Sequence, residues 1–117
     1  MKRLLLLCIL SISFNSFADE LSDADDAYER GDYTTAITLY TKAAEQGDAT
    51  AQVSLGLLYD VGKGTPQDYV MAHMFFNIAA RGGDEKAKKG RDIVADMMTS
   101  EKILEAQQLA REWMEKY

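Results

Sequence analysis

DYTTAITLYTKAAEQGD, residues 32–48, returns 36 residues later as DYVMAHMFFNIAARGGD, residues 68–84. Between the two copies Asp32-Tyr33 becomes Asp68-Tyr69, Ala36 becomes Ala72, and Tyr40 becomes Phe76. Ala43-Ala44 becomes Ala79-Ala80, Gly47-Asp48 becomes Gly83-Asp84, and Ala51 continues the register as Ala87. The kept residues are small, aromatic or turn-forming, the types that close packing and chain reversal constrain most. A fixed period of this length marks a repeat architecture, in which one unit cannot bury its apolar face without its neighbours.

Within each copy the pattern is helical. Tyr33, Ala36, Ile37, Tyr40, Ala43 and Ala44 fall at steps of three and four and line one face. Thr35, Thr38, Lys42 and Glu45 lie away from it. Gly47 suits the end of that helix and Asp48 the capped start of the next. Ala51, Leu55, Leu58 and Tyr59 form the stripe that follows, with Gly56 beside it where a neighbouring helix can approach closely. Gly62, Gly64 and Pro66 interrupt the chain before Asp68. The second copy sets Tyr69, Ala72, Phe75, Phe76, Ala79 and Ala80 on one face, and the next helix is expected to bury Ala87, Ile93, Val94 and Met97. Thr99 or Ser100 caps a last helix packed through Ile103, Ala106, Ala110, Trp113, Met114 and Tyr117, with Lys102, Glu105, Gln108, Glu112 and Glu115 outward. A polar outer face on the terminal helix stops a stacked array from growing.

The spacing predicts six helices at about 22–30, 33–46, 48–61, 68–82, 84–98 and 100–116. They form three antiparallel pairs, about 22–46, 48–82 and 84–116, close to the usual minimum for a stable array. The fold class is all-α, an α/α solenoid.

The first 18 residues read differently. Met1-Lys2-Arg3 is basic, Leu4–Leu10 is apolar, and Ser16 and Ala18 are the small residues a secretory cleavage site needs. Cleavage is expected after Ala18, giving a periplasmic or secreted protein. A retained membrane anchor is disfavoured because a span needs about 20 apolar residues. Leu7 before Cys8 does not fit a lipoprotein site, and Cys8 falls mid-run. Residues 19–117 form the repeat domain and hold no cysteine, hence no disulfide. With Lys2 and Arg3 removed, 11 basic residues face 19 acidic ones. That balance argues against nucleic acid, whose phosphates need Lys and Arg. Seven acids lie within residues 19–32, beside the single base Arg30, and a basic cluster stands at Arg81, Lys86, Lys88, Lys89 and Arg91.

Chemistry finds few footholds. His73 is the only histidine and, without cysteine, cannot complete a zinc site; it reads as a partly exposed packing residue. Ser22, Ser54 and Ser100 stand in no nucleophile motif, neither Ser-x-x-Lys nor Gly-x-Ser-x-Gly. Asp23, Asp25 and Asp26 lack the oxygen ligand and glycine of a calcium loop, because Ala27 and Tyr28 stand there. Met71, Met74, Met97 and Met98 read as core filling. The expectation is no catalytic, cofactor or metal residue.

Ala51-Leu55-Gly56-Tyr59-Gly62, then Gly64-Thr65-Pro66, Asp68-Tyr69 and Ala72-Phe76-Ala79-Ala80-Gly83, resemble the Sel1-like repeat, a relative of the tetratricopeptide repeat. The first repeat keeps Tyr28 and Gly31 and a full second helix, and the closing stretch is similar to the end of short bacterial exported members. The resemblance covers roughly residues 24–117. It implies a right-handed superhelix acting as a non-enzymatic adaptor, a monomer holding an envelope protein or peptide on its concave side. Residues between the packing positions of each first helix would then face the groove: Asp26 and Glu29, then Thr50, Val53 and Asp60, then Lys86, Lys89 and Asp96. Such a groove runs from acidic to basic. Cysteine-rich relatives linked to cell-wall or β-lactam chemistry depend on a disulfide in each hairpin, which residues 19–117 cannot form. A small inhibitory or structural subunit of an envelope complex is a further alternative.

Overall fold

The computed structural model describes residues 19–117, so the expected signal segment lies outside the described residues. Among the described residues there are six helices and no strand. They are α1 (19–29), α2 (Tyr33–Glu45), α3 (Ala49–Val61), α4 (Tyr69–Arg81), α5 (Glu85–Ala95) and α6 (Ser100–Lys116).

Capping explains why the starts repeat. The side chains of Asp32, Asp48, Asp68 and Asp84 accept hydrogen bonds from the backbone N–H groups of Thr35, Ala51, Met71 and Ala87, at 3.3, 2.7, 3.1 and 2.8 Å. Thr99 does the same for Lys102 N–H at 3.2 Å. Each cap satisfies a donor with no partner inside its helix. The sharp reversals between α2 and α3, and between α4 and α5, use Gly47 at φ 93° and Gly83 at φ 101°. Only glycine adopts that backbone at no steric cost.

α5 stops at Ala95, three residues short of the expected end at 98. Met97 N–H and Met98 N–H turn to the carbonyls of Val94 and Ala95, tightening the chain before the Thr99 cap. The stripe expected on α5 is also narrower. Ala87 and Val94 are buried, whereas Ile93 and Met97 face solvent.

α4 is the axis of the molecule. Every residue from Ala72 to Ala80 is buried, and the helix packs against α3, α5 and α6. A helix apolar on all sides has to be surrounded, and AHMFFNIAA is such a segment. Phe76 lies against two glycines. A Cβ built on Gly56 of α3 would sit 2.5 Å from Phe76 Cε1, and one on Gly90 of α5 would sit 3.1 Å from the same atom. The missing side chains let both helices close on one ring.

α6 packs chiefly on α4 rather than on its sequence partner α5. Trp113 meets Phe75 edge-on at 5.2 Å, and Phe75 stacks on Tyr59 at 5.9 Å. Ala110 joins the main core, with Trp113 and Met114 packed against its edge. The outward residues Lys102, Glu105, Gln108, Glu112 and Glu115 are all exposed, as a terminal helix requires. α1 completes the other end through buried Ala24 and Ala27, and Tyr28 meets Tyr33 edge-on at 5.3 Å.

Three polar side chains enter this core. Gln52 Nε2 donates to Ala44 O at 3.3 Å, tying α3 to the end of α2. Arg91 Nη1 donates to Asn77 Oδ1 at 3.1 Å, tying α5 to α4. His73, expected to be partly exposed, is 3% exposed, and its Nδ1 has no hydrogen-bond partner among the described residues. The cause is the surrounding of α4 on every side. Burial lowers the His73 pKa below its usual 6.5, with the Arg91 charge adding to the effect and Asp92 opposing it.

Candidate interaction surface

Large apolar side chains left in water mark surfaces that something else can cover. Among the described residues five of seven such side chains lie on α1, on α3, and on α5 with the turn that follows it: Tyr28, Leu57, Val61, Ile93 and Met97, between 42% and 67% exposed. Four of these positions follow the repeat. Leu57 and Val61 of α3 return at the same 36-residue spacing as Ile93 of α5 and Met97 in the turn after it. In α1 the equivalent positions are Leu21 and Asp25, and the exposed apolar side chain there is Tyr28, outside that register.

Between α1 and α3 this surface deepens into a cleft of about 470 Å³. Its walls are Tyr28, Leu57, Leu58 and Val61, and Lys63 stands at the rim. Its floor is polar: Tyr40 Oη donates to Asp25 Oδ1 at 2.5 Å, and Ser54 lies beside them. Burial raises the Tyr40 pKa far above the usual 10, and the Asp25 carboxylate raises it further, so the phenol stays a donor at any physiological pH. Lys63 Nζ is held 5.1 Å from the centre of the Tyr33 ring, which fixes the rim charge to the α1–α2 corner.

The residues expected to face the groove divide into two groups. Thr50, Val53 and Lys86 come together in a shallower cleft of about 300 Å³ between α3 and the start of α5, with Ser54, Asp84 and Glu85. Val53 is half-buried there and braces the packing of Ala79, Ala80 and Ala87. Asp26, Glu29, Lys89 and Asp96 are exposed and Asp60 is half-buried, and none of them lines either cleft. Charge is distributed unevenly over the exposed positions of these helices. Asp23, Asp25, Asp26 and Glu29 are exposed on α1, while Lys86 and Lys89 on α5 form no ion pair among the described residues.

Sequence reasoning did not single out Leu57, Val61 or the Tyr40–Asp25 pair as surface features, and it assigned Ile93 and Met97 to the core. Apolar type at helical spacing looks the same whether a neighbour covers it or not. The 36-residue recurrence of the pair at i and i+4 was the available signal. Among the described residues no group of three or more His, Cys, Asp or Glu side chains is placed to hold a metal ion. No described helix is long and apolar enough to cross a membrane.

Comparisons with known proteins agree with this architecture. A solved structure, a protective antigen present in uropathogenic Escherichia coli strains and displaying an SLR fold, superposes with a TM-score of 0.79 at 28% identity. The match covers 91% of this chain and 24% of that one. The DAP3-binding cell death enhancer 1 of Rattus norvegicus and that of Mus musculus are each 37% identical over 59 residues, half of this chain. The chain spans about a tenth of the length of those two relatives. The family model of the Sel1 repeat matches residues 23–48, 49–84 and 103–116. The interval between the last two matches holds α5, where Lys86, Lys88 and Lys89 replace Thr50, Gln52 and Val53 of the middle repeat. With α2, α3 and α4 wholly and most of α1 and α6 inside matched repeats, this chain belongs to the Sel1 repeat family.

Proposed function

We propose that the protein is an exported, non-enzymatic adaptor of the cell envelope that holds a peptide or an extended segment of a protein on its α1–α3–α5 face. The observation that carries this reading is the exposed apolar surface of Tyr28, Leu57, Val61, Ile93 and Met97, in which the pair Leu57 and Val61 recurs with the repeat as Ile93 and Met97. The charge along that face supports an oriented ligand. The carboxylates of α1 favour a basic end, and the free ammonium groups of Lys86 and Lys89 favour an acidic one. Charges so placed set orientation and association rate more than affinity. The basic, apolar and small-residue order of residues 1–18 supports export.

Photo-crosslinking from Ile93 in intact cells, followed by identification of the attached protein, tests the adaptor role. One dominant product from Ile93, absent from a crosslinker at Gln108 on the outer face of α6, is the expected result. Equal yields from both positions would remove this face from consideration. Fractionation tests the location: a cytoplasmic protein with residues 1–18 intact overturns the export reading. For the Lys86→Glu/Lys89→Glu variant, binding of the captured partner should fall several-fold at low salt and converge with the parent in about 0.5 M salt, where screening is short-ranged.

A further inference from the structure

We infer that the cleft between α1 and α3 is the anchor point of the bound segment, and that it takes an aromatic side chain with a polar tip, flanked by basic residues. This rests on the adaptor reading above and adds what the partner must carry. Three observations converge. The walls are apolar, and Tyr28, Leu57 and Val61 present enough area to cover a ring. The floor is not apolar: the Asp25 carboxylate, the Tyr40 hydroxyl and Ser54 line it. An aliphatic side chain would cover the walls and take water from the Asp25 carboxylate oxygen that Tyr40 does not occupy without replacing its hydrogen bond, which is costly. A phenol or an indole satisfies both, because its body is apolar and its tip donates a hydrogen bond. The cleft volume of about 470 Å³ lies within the range of small-ligand sites, with room beyond one ring for the neighbouring stems.

The flanking charge follows from α1. Residues 19–29 hold Asp19, Glu20, Asp23, Asp25, Asp26 and Glu29 and no base. A lysine or arginine beside the anchoring aromatic residue meets these carboxylates, while its stem lies along the exposed Leu57 and Val61. Ile93 and Met97 continue the surface one helix further on. Packed helix axes lie about 8–10 Å apart, and an extended chain advances roughly 3.3 Å per residue. A second apolar side chain about three residues from the aromatic one therefore reaches α5.

Three capped probes test the anchor against the purified protein by amide-resolved NMR titration: acetyl-Lys-Tyr-Lys-amide, acetyl-Lys-Ala-Lys-amide and acetyl-Glu-Tyr-Glu-amide. The first should shift Tyr28, Leu57 and Val61 together. The alanine probe should bind at least tenfold more weakly, and the glutamate probe at least fivefold more weakly at low salt. Leu57→Asn, at an exposed position, should reduce affinity for the first probe with the unfolding midpoint unchanged, and Leu57→Ala should reduce it less. Equal binding of the alanine probe, shifts centred elsewhere, or no binding of any probe overturns the anchor. These outcomes separate from failure of the adaptor reading. A partner still crosslinked by the Leu57→Asn protein leaves the adaptor standing and removes the anchor.

Discussion

Gly56→Ala should destabilise the fold, although the same exchange in an ordinary helix interior stabilises it. The added Cβ would lie 2.5, 2.6 and 2.9 Å from Cε1, Cδ1 and Cζ of Phe76. Carbon atoms rest at about 3.5–4.0 Å, so the ring must retreat by about 1 Å. Its movement is limited, because the ring is buried and Gly90 of α5 is packed close to the same edge, where a Cβ would lie 3.1 Å from Cε1. Overpacking of this kind costs about 1–3 kcal/mol. Against it stands the helix preference for alanine over glycine, about 0.5–1 kcal/mol. The difference spans about 0–2.5 kcal/mol, and its midpoint, about 1.25 kcal/mol, lowers the Tm of a domain of this size by roughly 5–10 °C. Gly90→Ala, with a contact the ring can relieve by a few tenths of an ångström, should fall near neutral. Urea and thermal unfolding followed by circular dichroism measure both. The decisive comparison is the cycle with Phe76→Leu. Shortening the ring removes the clash, so the double variant should be at least about 1 kcal/mol more stable than the sum of the single losses. A stabilising Gly56→Ala, or strict additivity in the cycle, refutes the argument that Gly56 exists to admit Phe76.

Three further outcomes follow from the packing. His73 is buried with a pKa below 6.5, so the unfolded chain takes up its proton at a higher pH than the folded one. The stability His73 supplies is full above pH 6.5 and is lost as pH falls from there through the folded pKa; the facing charges are Arg91 and Asp92 of α5. The Tm of His73→Leu should therefore fall less than that of the parent between pH 7.5 and 5, and parallel curves would show that the group does not titrate there. Asp84→Ala removes the cap of α5 and should cost about 0.5–2 kcal/mol, measured as a shift in the urea midpoint; Asp84→Ser should restore most of it. Trp113 is the single tryptophan and seats α6 on Phe75. Its fluorescence should report the same unfolding midpoint as circular dichroism, and an earlier fluorescence transition would mean that α6 detaches on its own.

What the sequence disclosed depended on how local each feature is. The six helices, the aspartate caps and the Gly47 and Gly83 reversals are set by residues within a few positions of one another, and a 36-residue recurrence exposed them twice. The burial of Ala51, Leu55 and Leu58 followed from period alone. The fate of Ile93 and Met97 did not. They sit at helical spacing like any core pair, but no described helix covers them, just as none covers Leu57 and Val61. The burial of His73 likewise depends on neighbours far along the chain, since it faces Arg91 and Asp92 of α5 within a helix enclosed on every side. The groove residues Thr50, Val53 and Lys86 came from the first-helix positions by analogy and do meet in a cleft. The Tyr40–Asp25 floor was invisible because it joins residues 15 positions apart on two different helices, and neither is unusual alone.

The placement of α6 also bears on which face is free. α4 carries Met74, Phe75, Phe76 and Ile78 around its whole circumference, so a solenoid that left its outer side open would expose a core helix to water. Covering a Phe or Ile side chain is worth about 1.5–3 kcal/mol each, far more than α6 gains from surface ion pairs such as Lys102 with Glu105. α6 is therefore drawn onto α4, and its polar side is turned outward. That closes the α2–α4–α6 side with charged residues and leaves the α1–α3–α5 side carrying Tyr28, Leu57, Val61, Ile93 and Met97. The apolar demand of one central helix thus decides both how the array ends and which of its two faces still has apolar area to offer a partner.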